Sequence, residues 1–249
     1  MSVDLIKMAA IIDNYLNCAQ INDYCPNGVQ IAGRATVRKI ISGVTASMAL
    51  IEAAIKENAC ALLVHHGYFW RGENPCLIGT KKQRIKALLE NDISLLAYHL
   101  PLDLHLEVGN NMQLAKRFEL HNCEFLANNS PVLLGDLNAP ITGLDFADLV
   151  ANILDKKPYL VDVKRRVQKV AICSGGGQNY FNQAIAAGAD LFLTGEATEH
   201  NFHDALEYGV NFIAAGHHAT ERFGVQALGD YLAQKFKIEH KFIDIPNPF

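Results

Sequence analysis

The sequence predicts an α/β protein built from two similar βαβ-containing halves that reflect an internal duplication, and three features carry that expectation. Short apolar strand-like runs alternate with amphipathic helix-like stretches. The first such unit returns later in the chain. The histidines and carboxylates able to do chemistry fall just after the predicted strands, so a metal site is expected at the carboxyl ends of a largely parallel sheet.

The elements follow in order. In MSVDLIKMAAIIDNYL, Leu5, Met8, Ile12 and Leu16 share one helical face, while Asp4, Lys7 and Asp13 interrupt what would otherwise read as a secretory h-region. Residues 38–44 (RKIISGV) read as a strand, 47–58 as a helix with Ser47 as N-cap, and 60–64 as the next strand. A helix over 81–90 and a strand over 93–97 complete a βαβαβ run, which requires parallel pairing. Shifting the chain by 130 residues without a gap lays 39–66 on 169–196 and matches Lys39 with Lys169, Ala54 with Ala184, Ile55 with Ile185, Ala59 with Ala189 and Leu63 with Leu193. His66 then falls opposite Glu196. A further offset of 118 lays His99-Leu-Pro-Leu-Asp103 on His217-His-Ala-Thr-Glu221, an H-x-x-x-carboxylate pattern in each half. Between the copies, residues 119–166 are punctuated by Pro131, Gly135, Pro140, Gly143 and Pro158, with VLLGDL as an edge strand or hairpin arm. The expected division is 1–128 and 129–249, the halves packed as one compact unit without a low-complexity linker.

Composition bounds the function. The 249 residues carry 22 basic and 26 acidic side chains, a formal charge of −4, with no lysine- or arginine-rich block, which disfavours a polymeric nucleic-acid partner. No run approaches the ~18 apolar residues of a membrane span. Cys18, Cys25, Cys60, Cys76, Cys123 and Cys173 form no CxxC pair and read as reduced thiols, so a cytoplasmic protein is expected.

The chemistry-bearing residues at predicted strand ends are His65, His66, His99, Asp103, Glu196, His217, His218 and Glu221. Adjacent histidines on a strand would face opposite ways, but a strand ending at Val64, with Gly67 free to take a positive φ, would let both imidazoles address one cavity. Imidazole with carboxylate suits zinc, iron, manganese or nickel, and the donors exceed what one tetrahedral ion needs, which favours two ions. A helix beginning near Ala219 or Thr220 would set His217 and Glu221 about one turn apart, able to reach the same ion, with His218 pointing elsewhere. His99, Glu196 and His203 are candidates for proton transfer or for supporting the ligands. The turn Ser174-Gly175-Gly176-Gly177 reads either as a phosphate cradle or as a simple tight turn, since it lacks a P-loop lysine. Tyr68, Phe69 and Trp70 read either as base-stacking residues or as packing.

Val64-His65-His66-Gly67, His99-x-Pro101-Leu102-Asp103, Thr194-Gly195-Glu196 and Gly216-His217-His218-Ala219-Thr220-Glu221, with Tyr24-x-Pro26-Asn27-Gly28 and Gly109-Asn110-Asn111, resemble the motifs of the YbgI-like family of GTP cyclohydrolase I type 2 homologues over essentially the whole chain. The resemblance implies a dinuclear metal centre held by His65, His66, Asp103, His217 and Glu221, a two-fold repeated α/β fold and a toroidal homohexamer. The expected function is a dinuclear metal-dependent hydrolase acting on a small molecule, such as a nucleotide or a cyclic amide or amidine. The competing class is a non-enzymatic metal-binding or metal-handling scaffold, which would differ by closing its coordination shell.

Overall fold

Helix Leu5–Tyr15 forms where its apolar spacing predicts, buries Leu5, Met8 and Ile12, and starts at Asp4, whose Oδ1 accepts from Lys7 N at 2.9 Å. Helix Met48–Lys56 is capped by Ser47, as expected, and buries Leu50, Ile51 and Ala54. The computed structural model describes residues 1–127 and 130–249.

The chain divides into two units, Met1–Leu102 with Gly224–Pro246, and Asp103–Phe223 with Asn247–Phe249. The sequence-based boundary at 128/129 lies outside the described residues, and the division by contacts runs elsewhere for two reasons. His121–Phe125 pairs antiparallel with Leu133–Ile141 and so enters the second sheet before residue 128. Strand Glu239–Phe242, which the sequence reading missed, returns to pair in parallel with Lys39–Thr45.

In the first unit the sheet order is Glu239–Phe242, Lys39–Thr45, Ala61–His66, Ser94–Ala97, Gly28–Ile31, parallel except at the last pair. Ile41, Leu62, Val64, Leu95 and Ala97 form one apolar face under Leu50, Ile51 and Ala54 of one helix and Ile85 and Leu88 of Gly79–Glu90. The returning strand is fastened at Glu57, whose carboxylate accepts from Lys241 Nζ at 2.6 Å and Lys39 Nζ at 2.7 Å. These two ammonium groups hold the Glu57 carboxyl down to about 2, from an ordinary 4.5. A depressed carboxyl contributes stability above its ordinary value and loses it as pH falls through the folded value. Hydrogen-exchange protection of 239–242 is therefore expected to weaken between pH 4.5 and 2, with Glu57→Gln removing most of that dependence; equal acid sensitivity in the variant would refute the tether.

In the second unit the order is His121–Phe125, Leu133–Ile141, Val167–Cys173, Leu191–Thr194, Asn211–Ala214, Tyr159–Val161, and the third, fourth and fifth of these are parallel. VLLGDL is thus a hairpin arm inside the sheet rather than an edge, and this sheet is mixed. Both faces are covered. Val170, Ile172, Leu191, Leu193 and Ile213 pack with Leu114, Phe146 and Val150, whereas Ala171, Cys173, Phe192 and Phe212 pack with Phe181, Ala184 and Ala205. That alternation explains why the strands read as continuous apolar runs.

Three parallel strands followed by an antiparallel one recur in both sheets. Ile40 pairs with Ala61 and Val170 with Leu191, the same 130-residue shift in both members. At the next step Ala61 pairs with Ser94 and Leu191 with Asn211, a shift of 117 rather than 118. His99 therefore corresponds to Gly216, and the matched H-x-x-x-carboxylate patterns are one residue out of register. No helix among the described residues is long and apolar enough to cross a membrane, and the six cysteines are free thiols.

Candidate metal centre

Strand Ala61–His66 continues through both histidines instead of stopping at Val64, because Thr45 still pairs with His66. Its ladder with Ser94–Ala97 does end at Val64, and beyond that point one neighbour no longer constrains the backbone. The imidazole centroids of His65 and His66 lie 4.7 Å apart, far closer than rings on opposite faces of a flat strand. Gly67 does not take a positive φ. It is required for space: a Cβ there would lie 2.2 Å from Gln30 Oε1 and 2.6 Å from Ala97 Cβ. Gln30 in turn clasps the following residue, accepting from Tyr68 N at 2.7 Å and donating to Tyr68 O at 3.1 Å.

His65 is fully buried, with Nδ1 2.9 Å from Tyr98 O. A carbonyl only accepts, so Nδ1 carries the proton and Nε2 presents the lone pair, the tautomer a metal ligand needs. His66 Nδ1 lies 3.2 Å from Thr45 Oγ1. One ring nitrogen from each of His65, His66 and His99 falls within 4.8 Å of the others. His99 donates from Nδ1 to Asp23 Oδ1 at 2.9 Å, and Asp23 Oδ2 accepts from Asn27 Nδ2 and Leu100 N. Burial alone would raise the Asp23 carboxyl, but these donors and the charge on His99 bring it down to about 2.

The second unit carries the remaining candidate donors, and Asp103 is in none of the groups whose ligand atoms lie within 4.8 Å of one another among the described residues. Asp103, nearly buried in the short helix Leu100–Asp103, accepts from Asn110 Nδ2 at 2.8 Å. Helix His217–Thr220 starts at Gly216 and places His217 Nε2 3.2 Å from Glu221 Oε2, so the expected one-turn spacing does bring both side chains to one point. His217 Nδ1 lies 2.6 Å from Glu196 Oε1. Burial disfavours protonation of His217, yet the Glu221 and Glu196 carboxylates outweigh it and raise the imidazole to about 9. A metal cation in that position would take the place of the proton. His218 is buried, and its N–H donates to Phe249 O. His203 pairs instead with Glu199 at 3.1 Å on helix Glu199–Tyr208, with most of its side chain exposed.

The glycine turn proves to be a wall of this donor set. Ser174 N donates to Asn111 Oδ1 and Gly175 N to Thr220 Oγ1, so neither amide is directed at a phosphate. Gly175 has φ +63°, and a Cβ on it would lie 2.0 Å from Glu221 Oε1 and 3.1 Å from His217 Nε2. Of the three aromatics after Gly67, Tyr68 is buried with its hydroxyl on Ala46 O, and Phe69 lies under Lys81 Nζ. Only Trp70 stands beside the histidines, 6.0 Å from His66 and 5.0 Å from His99. Thr45, Asp23 and Gln30 were missed from sequence; the DYCPNG stretch held the only signal for Asp23, while Thr45 and Gln30 look like ordinary strand residues.

The donors in both units are the nitrogen and oxygen atoms that suit borderline divalent ions, and hydrogen bonds to Tyr98 O, Asn110 and Glu196 orient His65, Asp103 and His217. The sequence also matches the family described as Duf34/NIF3 (NGG1p interacting factor 3) over residues 3–248. The chain belongs to the Duf34/NIF3 family. A relative from Pseudomonas aeruginosa named GTP cyclohydrolase 1 type 2 homolog is 57% identical over the full length of both chains. The Escherichia coli K12 protein of the same name is 46% identical over 97% of this chain and 98% of that one. Among solved structures, one described as protein ybgI of unknown function matches with TM-score 0.95 at 45% identity, covering 99% of this chain and all of that one. A protein from Thermus thermophilus matches with TM-score 0.89 at 33% identity, again over 99% of this chain and all of that one. The mixed α/β fold is thus that of its Duf34/NIF3 relatives.

Proposed function

We propose that this Duf34/NIF3 chain is a dinuclear metal-dependent hydrolase acting on a small molecule, with His65, His66, Asp103, His217 and Glu221 holding two divalent ions drawn from zinc, iron, manganese or nickel. The observation that carries this reading is the fixed tautomer of His65, whose Nδ1–H is committed to Tyr98 O. The relatives' shared name, GTP cyclohydrolase 1 type 2 homolog, supports hydrolytic chemistry on a ring carbon. When bound, the ions would supply an acidified water and Lewis-acid stabilisation of the developing oxyanion.

The chain's own groups prepare and support that chemistry. Asn110 orients the Asp103 carboxylate, and Glu196 fixes the His217 ring through Nδ1. Of the proton-transfer candidates, His99 and Glu196 stand beside the donor sets, His99 held in orientation by Asp23. His203 is engaged by Glu199 and takes no part in this reading. A cyclic amide, a ring amidine carbon and a phosphoester each satisfy this chemistry. The second reading, a metal-binding interaction scaffold, is favoured by the family's description as an interacting factor.

Elemental analysis after gentle purification and reconstitution is expected to find close to two ions per chain, and a reproducible maximum of one would overturn the dinuclear centre. A metabolite screen on metal-loaded protein separates the two readings: turnover supports the hydrolase, and full metal content with no turnover supports the scaffold. We also propose a cytoplasmic homohexamer, a toroid by family resemblance. Sedimentation at micromolar concentration is expected to show a species larger than a dimer, and a clean monomer or dimer would remove the toroid.

A further inference from the structure

We propose that Trp70, with Tyr24 beside it, is a stacking platform that selects a planar nitrogen heterocycle as the substrate of the candidate centre. The inference rests on the metal-centre reading and narrows it, setting ring substrates above simple phosphoesters.

The loop geometry carries it. Phe69 has φ +65°, a left-handed backbone that a bulky residue rarely adopts. This strain does not serve burial of Phe69, which remains 37% exposed. Its consequence is the turn that brings Trp70 edge-on to His99, at 87° and 5.0 Å between centroids, and to 6.0 Å from His66. Tyr24, 49% exposed, stands 5.4 Å from His99 and 6.5 Å from Trp70.

The arrangement is held from several sides. Arg71 N donates to Tyr24 O at 2.7 Å, Arg71 Nη2 donates to Asp23 O at 2.8 Å, and Trp70 N donates to Glu73 Oε2 at 3.2 Å. A pre-positioned indole and phenol beside candidate ligands offer flat apolar faces at low entropic cost. A bare phosphate gains nothing from such faces, and a ribose, which meets them only through C–H bonds, gains less than a planar ring does. A planar heterocycle stacks on them, and its electrophilic ring carbon then lies beside the imidazoles, so binding and reaction use the same ring.

Trp70 is the sole tryptophan, which makes its fluorescence a direct reporter. Zinc-loaded full-length protein would be titrated with inosine, uridine and ribose 5-phosphate, with zinc content measured on the same samples. Saturable quenching by a nucleoside but not by ribose 5-phosphate is expected. By equilibrium dialysis, Trp70→Ala is expected to weaken nucleoside binding about 5- to 150-fold, the range one base–aromatic stack is worth, with Trp70→Phe restoring most of it. Thermal unfolding and zinc content at parental levels in both variants would exclude misfolding as the cause. Binding by Trp70→Ala equal to the parent, or no saturable quenching by either nucleoside in zinc-replete protein, overturns the platform. Nucleoside quenching in a protein that fails to bind zinc would keep the platform and overturn the metal centre instead.

Discussion

Gly175→Ala is expected to weaken metal binding about 10- to 100-fold, although residue 175 contributes no ligand. Its new methyl group would lie 2.0 Å from Glu221 Oε1 and 2.9 Å from Cδ, so the carboxylate has to move. Because the obstacle is the end of a flexible side chain, the molecule accommodates it by rotating Glu221, and the functional geometry takes the damage. The left-handed backbone at φ +63° adds about 1–2 kcal/mol of destabilisation for a residue with a Cβ. Gly176→Ala is the control. Its Cβ would meet nothing closer than 3.8 Å, and its φ is not positive, so metal content should match the parent. Isothermal titration with zinc and thermal unfolding on both variants check this. Parental zinc affinity in Gly175→Ala would show that Glu221 does not hold metal.

His65→Ala and His66→Ala are each expected to abolish binding of at least one ion, but with different effects on the fold. His65 is fully buried and its ring satisfies Tyr98 O, so removing it leaves that carbonyl without its donor and lowers stability by about 1–3 kcal/mol. His66 is only half-buried, and its ring bonds the exposed Thr45 hydroxyl, so His66→Ala should cost less than about 1 kcal/mol by the usual scale of surface changes. Stability loss and metal loss therefore separate between neighbouring residues. Full metal occupancy in both variants would remove the adjacent histidines from the site and with them the proposed chemistry.

The alternation of strands and helices, the 130-residue return of the first βα unit and the residue types of the candidate site are legible in the amino-acid order alone. Those are local or periodic properties: apolar spacing sets each element, Ser47 caps its helix through a neighbour three residues away, and the four-residue interval of His217 and Glu221 becomes one helical turn. The 57% identical relative shows that the family resemblance seen in the motifs was well founded.

Whatever depends on distant segments meeting is visible in the folded chain and not before. Strand Glu239–Phe242 pairs with a strand about 200 residues earlier, so a division drawn along the chain could not find it. The role of Gly67 is set by Gln30 and Ala97, and that of Gly175 by Glu221 and His217; no window around either glycine contains its neighbour in space. The one-residue slip between the H-x-x-x-carboxylate patterns appears only in strand register, since ladder pairing is fixed by hydrogen bonds between strands whose connecting loops differ in length. Asp23 looks like any loop aspartate until His99, Asn27 and Leu100 converge on its carboxylate. Candidate donors are visible in residue type, whereas their orientation comes from hydrogen bonds that only the folded chain brings within reach.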